Sequence, residues 1–254
     1  MTLEGKVAVV TGASQGIGRA VALRLAQGGA RMAVLDRQPA DETLELLAQQ
    51  GVDAWQHQTD VADSASVAEA FKQMDSTFGP AYVLVNAAGI FADEPFLETS
   101  VEVWDRVMAV NARGVFLGCQ EAARRMRDNG GGRIVNILST ASAQGFAYES
   151  AYCASKGAVL LLTRVLAVEL AAHGITVNGV GPGTVATAMG GDYLSRGAIA
   201  AHEMARTPLQ RLGTPEDIAE AVTFFAAHAS WVTGQALYVD GGFLAAGLPL
   251  LPGM

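Results

Sequence analysis

The sequence has few cysteines, little positive charge and no long apolar run. Its two cysteines, Cys119 and Cys153, lack the spacing of a zinc site and are too few for a disulfide framework. Lysine and arginine number 17 against 25 aspartates and glutamates, so no basic stripe is present for nucleic acid. No apolar run approaches the ~18 residues of a membrane span, and the N-terminus lacks a signal-peptide pattern. We therefore expect a cytoplasmic protein without bound metal, nucleic-acid partner or membrane contact.

Short β-branched runs alternate with longer helical patterns along almost the whole sequence. This alternation predicts strands at 7–10, 31–35, 53–57, 82–85, 133–138, 176–180 and 236–239. Helices are predicted at about 16–27, 40–49, 64–77, 100–127, 150–172 and 214–227. The strands are apolar at nearly every position, as a sheet buried on both faces requires. The prediction is an α/β fold with a seven-stranded parallel sheet that is flanked by helices on both faces. We expect a single Rossmann-like, doubly wound domain over 1–254. A substrate-loop insertion is expected at about 184–212.

Three glycines, Gly12, Gly16 and Gly18, follow the first predicted strand and begin the first predicted helix. Glycines let the chain turn tightly there and bring main-chain amides close to a pyrophosphate at the helix N-terminus. The spacing G-x-x-x-G-x-G differs from the G-x-G-x-x-G dinucleotide fingerprint, and alone it also fits an ordinary tight turn. The loop therefore indicates a nucleotide site only in combination with other residues.

An acidic residue, Asp36, ends the second predicted strand. A carboxylate at this place can accept hydrogen bonds from both hydroxyls of an adenosine ribose, and it repels a 2′-phosphate. Neither Ser14 nor Gln15 in the glycine loop is basic, and Arg37 lies one residue past the carboxylate. We therefore predict NAD in preference to NADP. The alternative is that Asp36 is an ordinary turn residue at a strand end.

Tyr152 and Lys156 are four residues apart in a predicted helix, so they share one helix face. A phenol that titrates near pH ~10 in water can transfer protons at neutral pH only if a nearby cation favours its phenolate. Together with a nucleotide loop, this pair indicates redox chemistry on an alcohol or a carbonyl. The alternative for the pair alone is a surface contact without function.

These motifs resemble those of the short-chain dehydrogenase/reductase family, and the resemblance runs from about Lys6 to Gly242. It includes 11–18, Asp60-Val61, Asn86-Ala87-Ala88-Gly89, Asn111, Ser139, Tyr152, Lys156, Asn178, Pro182-Gly183, Thr187 and 240–242. The resemblance implies an NAD(H)-dependent oxidoreductase that interconverts a secondary alcohol and a ketone by hydride transfer.

The resemblance also implies roles for four catalytic residues. Tyr152 would be the general acid/base, and Lys156 would lower the phenol pKa and hold the nicotinamide ribose. Ser139 would hydrogen-bond the substrate oxygen. Asn111 would interrupt its helix and bind a water that relays protons from Lys156.

The same resemblance implies the remaining contacts. Cofactor contacts are expected from Gly12, Ser14, Gln15, Gly16, Ile17, Gly18, Asp36, Asp60, Val61, Asn86, Ala87, Ala88, Gly89, Tyr152, Lys156, Pro182, Gly183, Val185 and Thr187. For a small-molecule alcohol or ketone substrate, we expect contacts from Ser139, Gln144, Phe146, Tyr148, Tyr152, Met189 and Tyr193. A neutral substrate is favoured, although Arg196 or Arg206 could close over an anion.

Helix 150–172 is apolar nearly all round, so part of it needs cover beyond the sheet. Family resemblance implies a homotetramer in which this helix and the last strand meet their symmetry mates. Two other functions stay open at this point: a lyase or epimerase that does not turn over its nucleotide, and a non-catalytic nucleotide-binding protein.

Overall fold

A computed structural model of the chain describes residues 3–187, 191 and 198–246. The described residues form a seven-stranded sheet in which all neighbouring strands are parallel, in the order β3-β2-β1-β4-β5-β6-β7. Its strands are β1 (Val7–Thr11), β2 (Arg31–Asp36), β3 (Ala54–Gln58), β4 (Ala81–Asn86), β5 (Gly132–Ile137), β6 (Ile175–Pro182) and β7 (Ala236–Val239). The predicted α/β class and the seven parallel strands are confirmed.

Helices connect these strands and cover the sheet. They are α1 (Gly16–Gln27), α2 (Asp41–Gln49), α3 (Ser64–Thr77), α4 (Val101–Met108), α5 (Gly114–Asp128), α6 (Ser150–Leu170), α7 (Ala198–Arg206) and α8 (Pro215–Thr223). Helix α7 belongs to the predicted insertion at 184–212, and part of that insertion lies outside the described residues. The assignment of 1–254 to one domain stays a prediction.

The two faces of the sheet bury separate apolar cores. Side chains alternate between faces along a strand, so Ala8 and Val10 of β1 join one core while Val7 and Val9 join the other. The first core packs against α1 and α8, and the second packs against α3, α5 and α6. The doubly wound arrangement therefore follows from central strands, such as β1 and β4, that are apolar at nearly every position.

The predicted helix at 100–127 is two helices separated by a wide turn. The turn, Ala109–Arg113, has π-type hydrogen bonding and contains the buried Asn111. Turns of this kind are frequent at functional sites because they change the direction of a side chain without ending the helix.

Helix α6 with its last turn, Ser150–His173, is the one helix in the described part of the chain that is long and apolar enough to cross a membrane. The helix contains Lys156, Arg164 and Glu169, so it has no uninterrupted apolar run of this length. The helix packs on the sheet, however, and contributes Val159 and Ala167 to the second core. Length and composition alone do not distinguish a core helix of this kind from a membrane span.

Candidate active site

The glycine loop between β1 and α1 is shaped to hold a dinucleotide. Gly12 and Gly16 have φ of +69° and +56°, a region that favours glycine. A Cβ on Gly12 would come within 2.6 Å of the Ala88 Cα, and a Cβ on Gly18 would overlap the Gly12 carbonyl. Gln15, which precedes α1, makes no side-chain capping bond, so the first amides of the helix stay available for phosphate oxygens.

Asp36 ends β2 beside this loop. Its carboxylate accepts hydrogen bonds from the amides of Ser14 and Gln38, each at 2.9 Å. These bonds fix the carboxylate at the edge of the cavity, where lone pairs remain for ribose hydroxyls. The residues of this end therefore fit the adenosine half of a nicotinamide cofactor.

One cavity of about 520 Å³ runs from this loop across the carboxyl ends of the strands. A ligand site is expected here because the strand order reverses between β1 and β4. The structure brings together nearly every residue predicted for the cofactor; those that line the cavity are Gly12, Ser14, Gln15, Gly16, Ile17, Gly18, Asp36, Asp60, Val61, Ala87, Ala88, Gly89, Tyr152, Lys156, Pro182, Gly183, Val185 and Thr187.

Asn86 is the exception among the predicted cofactor residues. Its side chain is buried in the core, where its amide donates to Asn136 Oδ1 at 2.9 Å and to Cys119 Sγ at 3.3 Å. A Cβ on Gly118 would lie 2.6 Å from Asn86 Oδ1, so helix α5 passes directly over this amide. The side chain therefore connects β4, β5 and α5 instead of facing the cavity.

Tyr152 and Lys156 face the cavity from the first turns of α6. The Lys156 ammonium lies 5.7 Å from the centroid of the Tyr152 ring and donates to the Ile137 carbonyl at 2.9 Å. The ring of Phe91 meets the Tyr152 ring edge to face, with centroids 5.1 Å apart. The phenol and the ammonium are thus adjacent, as their spacing predicts.

Burial controls the titration of both groups. It raises the pKa of Tyr152 to about 12; a hydrogen bond with Ser139 lowers this pKa and the charge of Glu149 raises it. Burial also lowers the pKa of Lys156 to about 8. In the protein without a cofactor the net shift of the phenol pKa is thus upward, with burial as its largest cause. That Lys156 lowers this pKa stays a prediction.

Asn111 connects the loop after β4 to α6. Its Oδ1 accepts from the Ile90 amide at 2.8 Å, and its Nδ2 donates to the Ile90 carbonyl at 2.9 Å and to Ser155 Oγ at 3.1 Å. The side chains of Asn111 and Lys156 both approach Gly89. A Cβ placed on Gly89 would lie 3.4 Å from Asn111 Oδ1 and 3.9 Å from Lys156 Nζ. The proposed proton relay through Asn111 stays a prediction.

Ser139 lies directly after β5 and lines the cavity, whereas Ser142 does not. The Ser139 Oγ accepts from the Ala141 amide at 3.1 Å and also hydrogen-bonds the Tyr152 phenol. Ser142 bonds the Ser139 carbonyl at 2.6 Å and the Tyr238 hydroxyl at 3.0 Å. Ser139 is therefore the serine that can contact a substrate oxygen.

The predicted substrate residues divide into three groups. Ser139, Tyr152 and Phe146 line the cavity, while Gln144 and Tyr148 are exposed and do not. Met189 and Tyr193 lie outside the described residues.

Among the cavity residues that sequence reasoning missed are Glu149, Glu203 and Phe243. Glu149 is three residues before Tyr152, and this spacing was a usable signal because such residues are neighbours on a helix. Glu203 on α7 and Phe243 after β7 carry no comparable signal, since only the tertiary fold brings them to Tyr152.

Comparisons with known proteins agree with this site. A family profile described as Enoyl-(Acyl carrier protein) reductase matches residues 12–244. The chain is 41% identical over 252 residues to a short-chain type dehydrogenase/reductase of Picea abies, covering 94% of this chain and 93% of that protein. It is 39% identical over 253 residues to D-threitol dehydrogenase of Mycolicibacterium smegmatis, covering 95% and 94%.

A solved structure shows the same fold with a cofactor bound. The gluconate 5-dehydrogenase of Burkholderia cenocepacia, in complex with NADP and tartrate, superposes with a TM-score of 0.92 at 34% identity, covering 96% of this chain and 97% of that one. The fold of the whole described chain therefore agrees with that of a dehydrogenase. The chain therefore belongs to the short-chain dehydrogenase/reductase family, and it is an oxidoreductase that interconverts a secondary alcohol and a ketone with a nicotinamide cofactor.

Proposed function

We propose that this oxidoreductase prefers NAD(H) and that Tyr152 is its general acid/base. The observation that supports the proposal most directly is the single cavity that joins the Asp36 carboxylate to the Tyr152 phenol. Dinucleotide-dependent proton and hydride transfer needs both features: an acceptor for ribose hydroxyls and a proton-transfer group at the reacting carbon.

The bound nicotinamide supplies or accepts the hydride. In reduction the Tyr152 phenol donates its proton to the ketone oxygen, and in oxidation it removes the proton of the alcohol. The Ser139 hydroxyl holds the same oxygen in place. Since burial raises the phenol pKa to about 12, the phenol keeps its proton at neutral pH and is ready to donate it in reduction. Oxidation needs positive charge near the phenol, and Lys156, with a pKa of about 8, retains most of its charge at pH 7.

The preference for NAD depends on the Asp36 carboxylate, which would repel a 2′-phosphate. Arg37 lines the same end of the cavity and is the group that could offset this repulsion. We expect kcat/KM with NAD to exceed that with NADP by ~10–100-fold, which corresponds to ~1–3 kcal/mol of lost or repulsive contact. Asp36→Ser should move the ratio toward NADP, and Arg37→Ser should move it further toward NAD. A wild-type preference for NADP would contradict the proposal.

The reaction itself is tested with the purified protein, a panel of secondary alcohols and NAD or NADP in parallel. The expected result is net formation of reduced cofactor, followed by its absorbance, with at least one alcohol. Net reduction would exclude the lyase, epimerase and non-catalytic alternatives, because none of them accumulates reduced cofactor. Cofactor binding without reduction across a broad panel would contradict the proposed activity.

The proposed homotetramer is supported by apolar side chains that the sheet leaves exposed. Leu161, Val165 and Val168 of α6 are 62%, 51% and 79% exposed, and Leu237 of β7 is 41% exposed. Val168→Glu should reduce the molar mass measured by light scattering in solution, because a charge in an apolar contact is costly to bury. Gln49→Glu, at an exposed position of α2, is the control for a change of charge alone. The cytoplasmic location stays a prediction.

A further inference from the structure

The substrate end of the cavity has two carboxylates in its wall. Glu149 precedes α6, Glu203 lies on α7, and both line the cavity together with Tyr152. The only cationic side chains among the described lining residues are Arg37, at the nucleotide end, and Lys156. Among the described residues, a ligand beyond Tyr152 therefore meets acidic groups and no guanidinium; Arg196 lies outside them.

The two carboxylates differ in their surroundings. Glu203 is 8% exposed, and its Oε2 accepts from the Thr184 hydroxyl at 2.8 Å. Glu149 makes no capping hydrogen bond to its own helix. Burial, together with the charges of Glu203 and Asp93, raises its pKa to about 7. This repulsion indicates that the acidic side chains are close together and that hydrogen-bond donors from a ligand would stabilise them.

The rest of this wall is aromatic. Phe146 and Phe243 stack with centroids 5.9 Å apart and both line the cavity. Arg206, which could have closed over an anion, does not line the cavity, and its guanidinium lies 4.4 Å from the Phe243 ring centroid. The wall thus combines apolar faces with groups that chiefly accept hydrogen bonds.

We propose that the substrate is a neutral polyol, or the corresponding hydroxyketone, whose further hydroxyl groups donate hydrogen bonds to Glu149 and Glu203. This inference rests on the proposed function, since it names the substrate class of the same site. Hydroxyl groups donate and accept, so they satisfy these carboxyl groups whether or not Glu149 carries a proton. An ammonium substrate would need both groups ionised, and a carboxylate substrate would add a third negative charge to a partly buried acidic wall.

The first experiment compares substrates of similar size in the wild-type protein with its preferred cofactor. The panel holds a tetritol and a pentitol, the monohydric alcohol 2-butanol, gluconate, and an amino alcohol. We expect kcat/KM for the best polyol to exceed that for 2-butanol by ~10–1000-fold, since each charge-assisted hydrogen bond contributes about 1.5–3 kcal/mol. Gluconate should be the poorest substrate. Preference for gluconate, the amino alcohol or 2-butanol would overturn the polyol assignment while leaving the proposed oxidoreductase activity intact.

The second experiment tests the two carboxylates. Glu149→Gln and Glu203→Gln should each reduce the ratio of kcat/KM for the polyol to kcat/KM for 2-butanol by ~10-fold or more, mainly through KM. Glu98→Gln, an exposed loop residue that does not line the cavity, is the matched control and should leave the ratio unchanged. Because Glu203 is buried, cofactor affinity is measured for each variant to verify folding, and Glu149→Gln provides an independent test. An unchanged ratio in a folded Glu149→Gln variant would refute the proposal.

Discussion

The two ends of the cavity are built in different ways. At the nucleotide end, main-chain groups of one short loop form the surface, and Asp36 is held by amides of the chain itself. At the substrate end, Glu149, Glu203 and Phe243 come from distant parts of the sequence, and the Glu149 carboxyl is next to like charges. The comparison shows that the nucleotide end depends on main-chain groups and a carboxylate fixed by local hydrogen bonds, whereas the substrate end depends on side chains that only the fold brings together.

The largest loss of activity is expected from a change at Tyr152, which lies between the nucleotide end and the substrate end of the cavity. Tyr152→Phe removes the group that transfers the proton and should reduce kcat by ~10²–10⁴-fold, the usual contribution of general acid/base catalysis. Cofactor affinity, followed by fluorescence titration, should change little because the nucleotide end is untouched. Tyr148→Phe, at an exposed residue outside the cavity, is the matched control and should retain wild-type turnover. Comparable turnover in Tyr152→Phe would remove the basis for its assignment.

One added methyl group at Gly12 should disturb the nucleotide end of the cavity. Gly12→Ala places a Cβ 2.6 Å from the Ala88 backbone at a φ of +69°, so the loop has to shift. We expect a loss of ~1–3 kcal/mol in the free energy of unfolding and a weaker Kd for NAD. Gly157→Ala is the control: it lies inside α6, and a Cβ there meets nothing within 4 Å. That substitution should stabilise the protein by ~0.5–1 kcal/mol. Equal effects of the two substitutions would contradict this view of the loop.

A smaller, pH-dependent effect on the free energy of unfolding is expected from Glu149 at the substrate end. The Glu149 pKa is about 7 in the folded protein against an ordinary value of 4.5, so the folded state binds the extra proton between these pH values. The free energy of unfolding therefore falls as pH rises through this window. Glu149→Gln should be more stable than the wild type at pH ~8 by ~1–2 kcal/mol, a figure reduced for partial solvent exposure, and should lose this advantage near pH ~4.5.

The same variant also affects catalysis, because the charge of Glu149 raises the phenol pKa of Tyr152. In the oxidation direction, the acid limb of kcat/KM should therefore move to lower pH in Glu149→Gln. Chemical denaturation at two pH values and a pH–rate profile are the measurements. Glu98→Gln, in which an exposed loop carboxylate is neutralised, should show neither change. A Glu149→Gln variant with the pH dependence of the wild type would place Glu149 away from Tyr152.

Local patterns in the sequence were enough to predict the sheet, most of its helices and most of the nucleotide end. These features depend on patterns that are local in the chain: apolar strands, a glycine turn and an acid at the next strand end. The predicted strand positions differ from the observed ones by one or two residues at their ends, and the wide turn at Asn111 falls within the predicted helix 100–127. The spacing of Tyr152 and Lys156 also predicted their proximity, because four residues make about one helical turn.

The pKa values of the site residues and the composition of the substrate wall depend on the tertiary structure. It turns Asn86 into the core, leaves Gln144 and Tyr148 outside the cavity, and brings Glu203 of α7 to the wall that contains Glu149. It also buries the Tyr152 phenol, and this burial is the largest cause of the raised phenol pKa. Burial and contacts between like charges depend on residues that are remote in sequence. A local sequence pattern therefore cannot predict them.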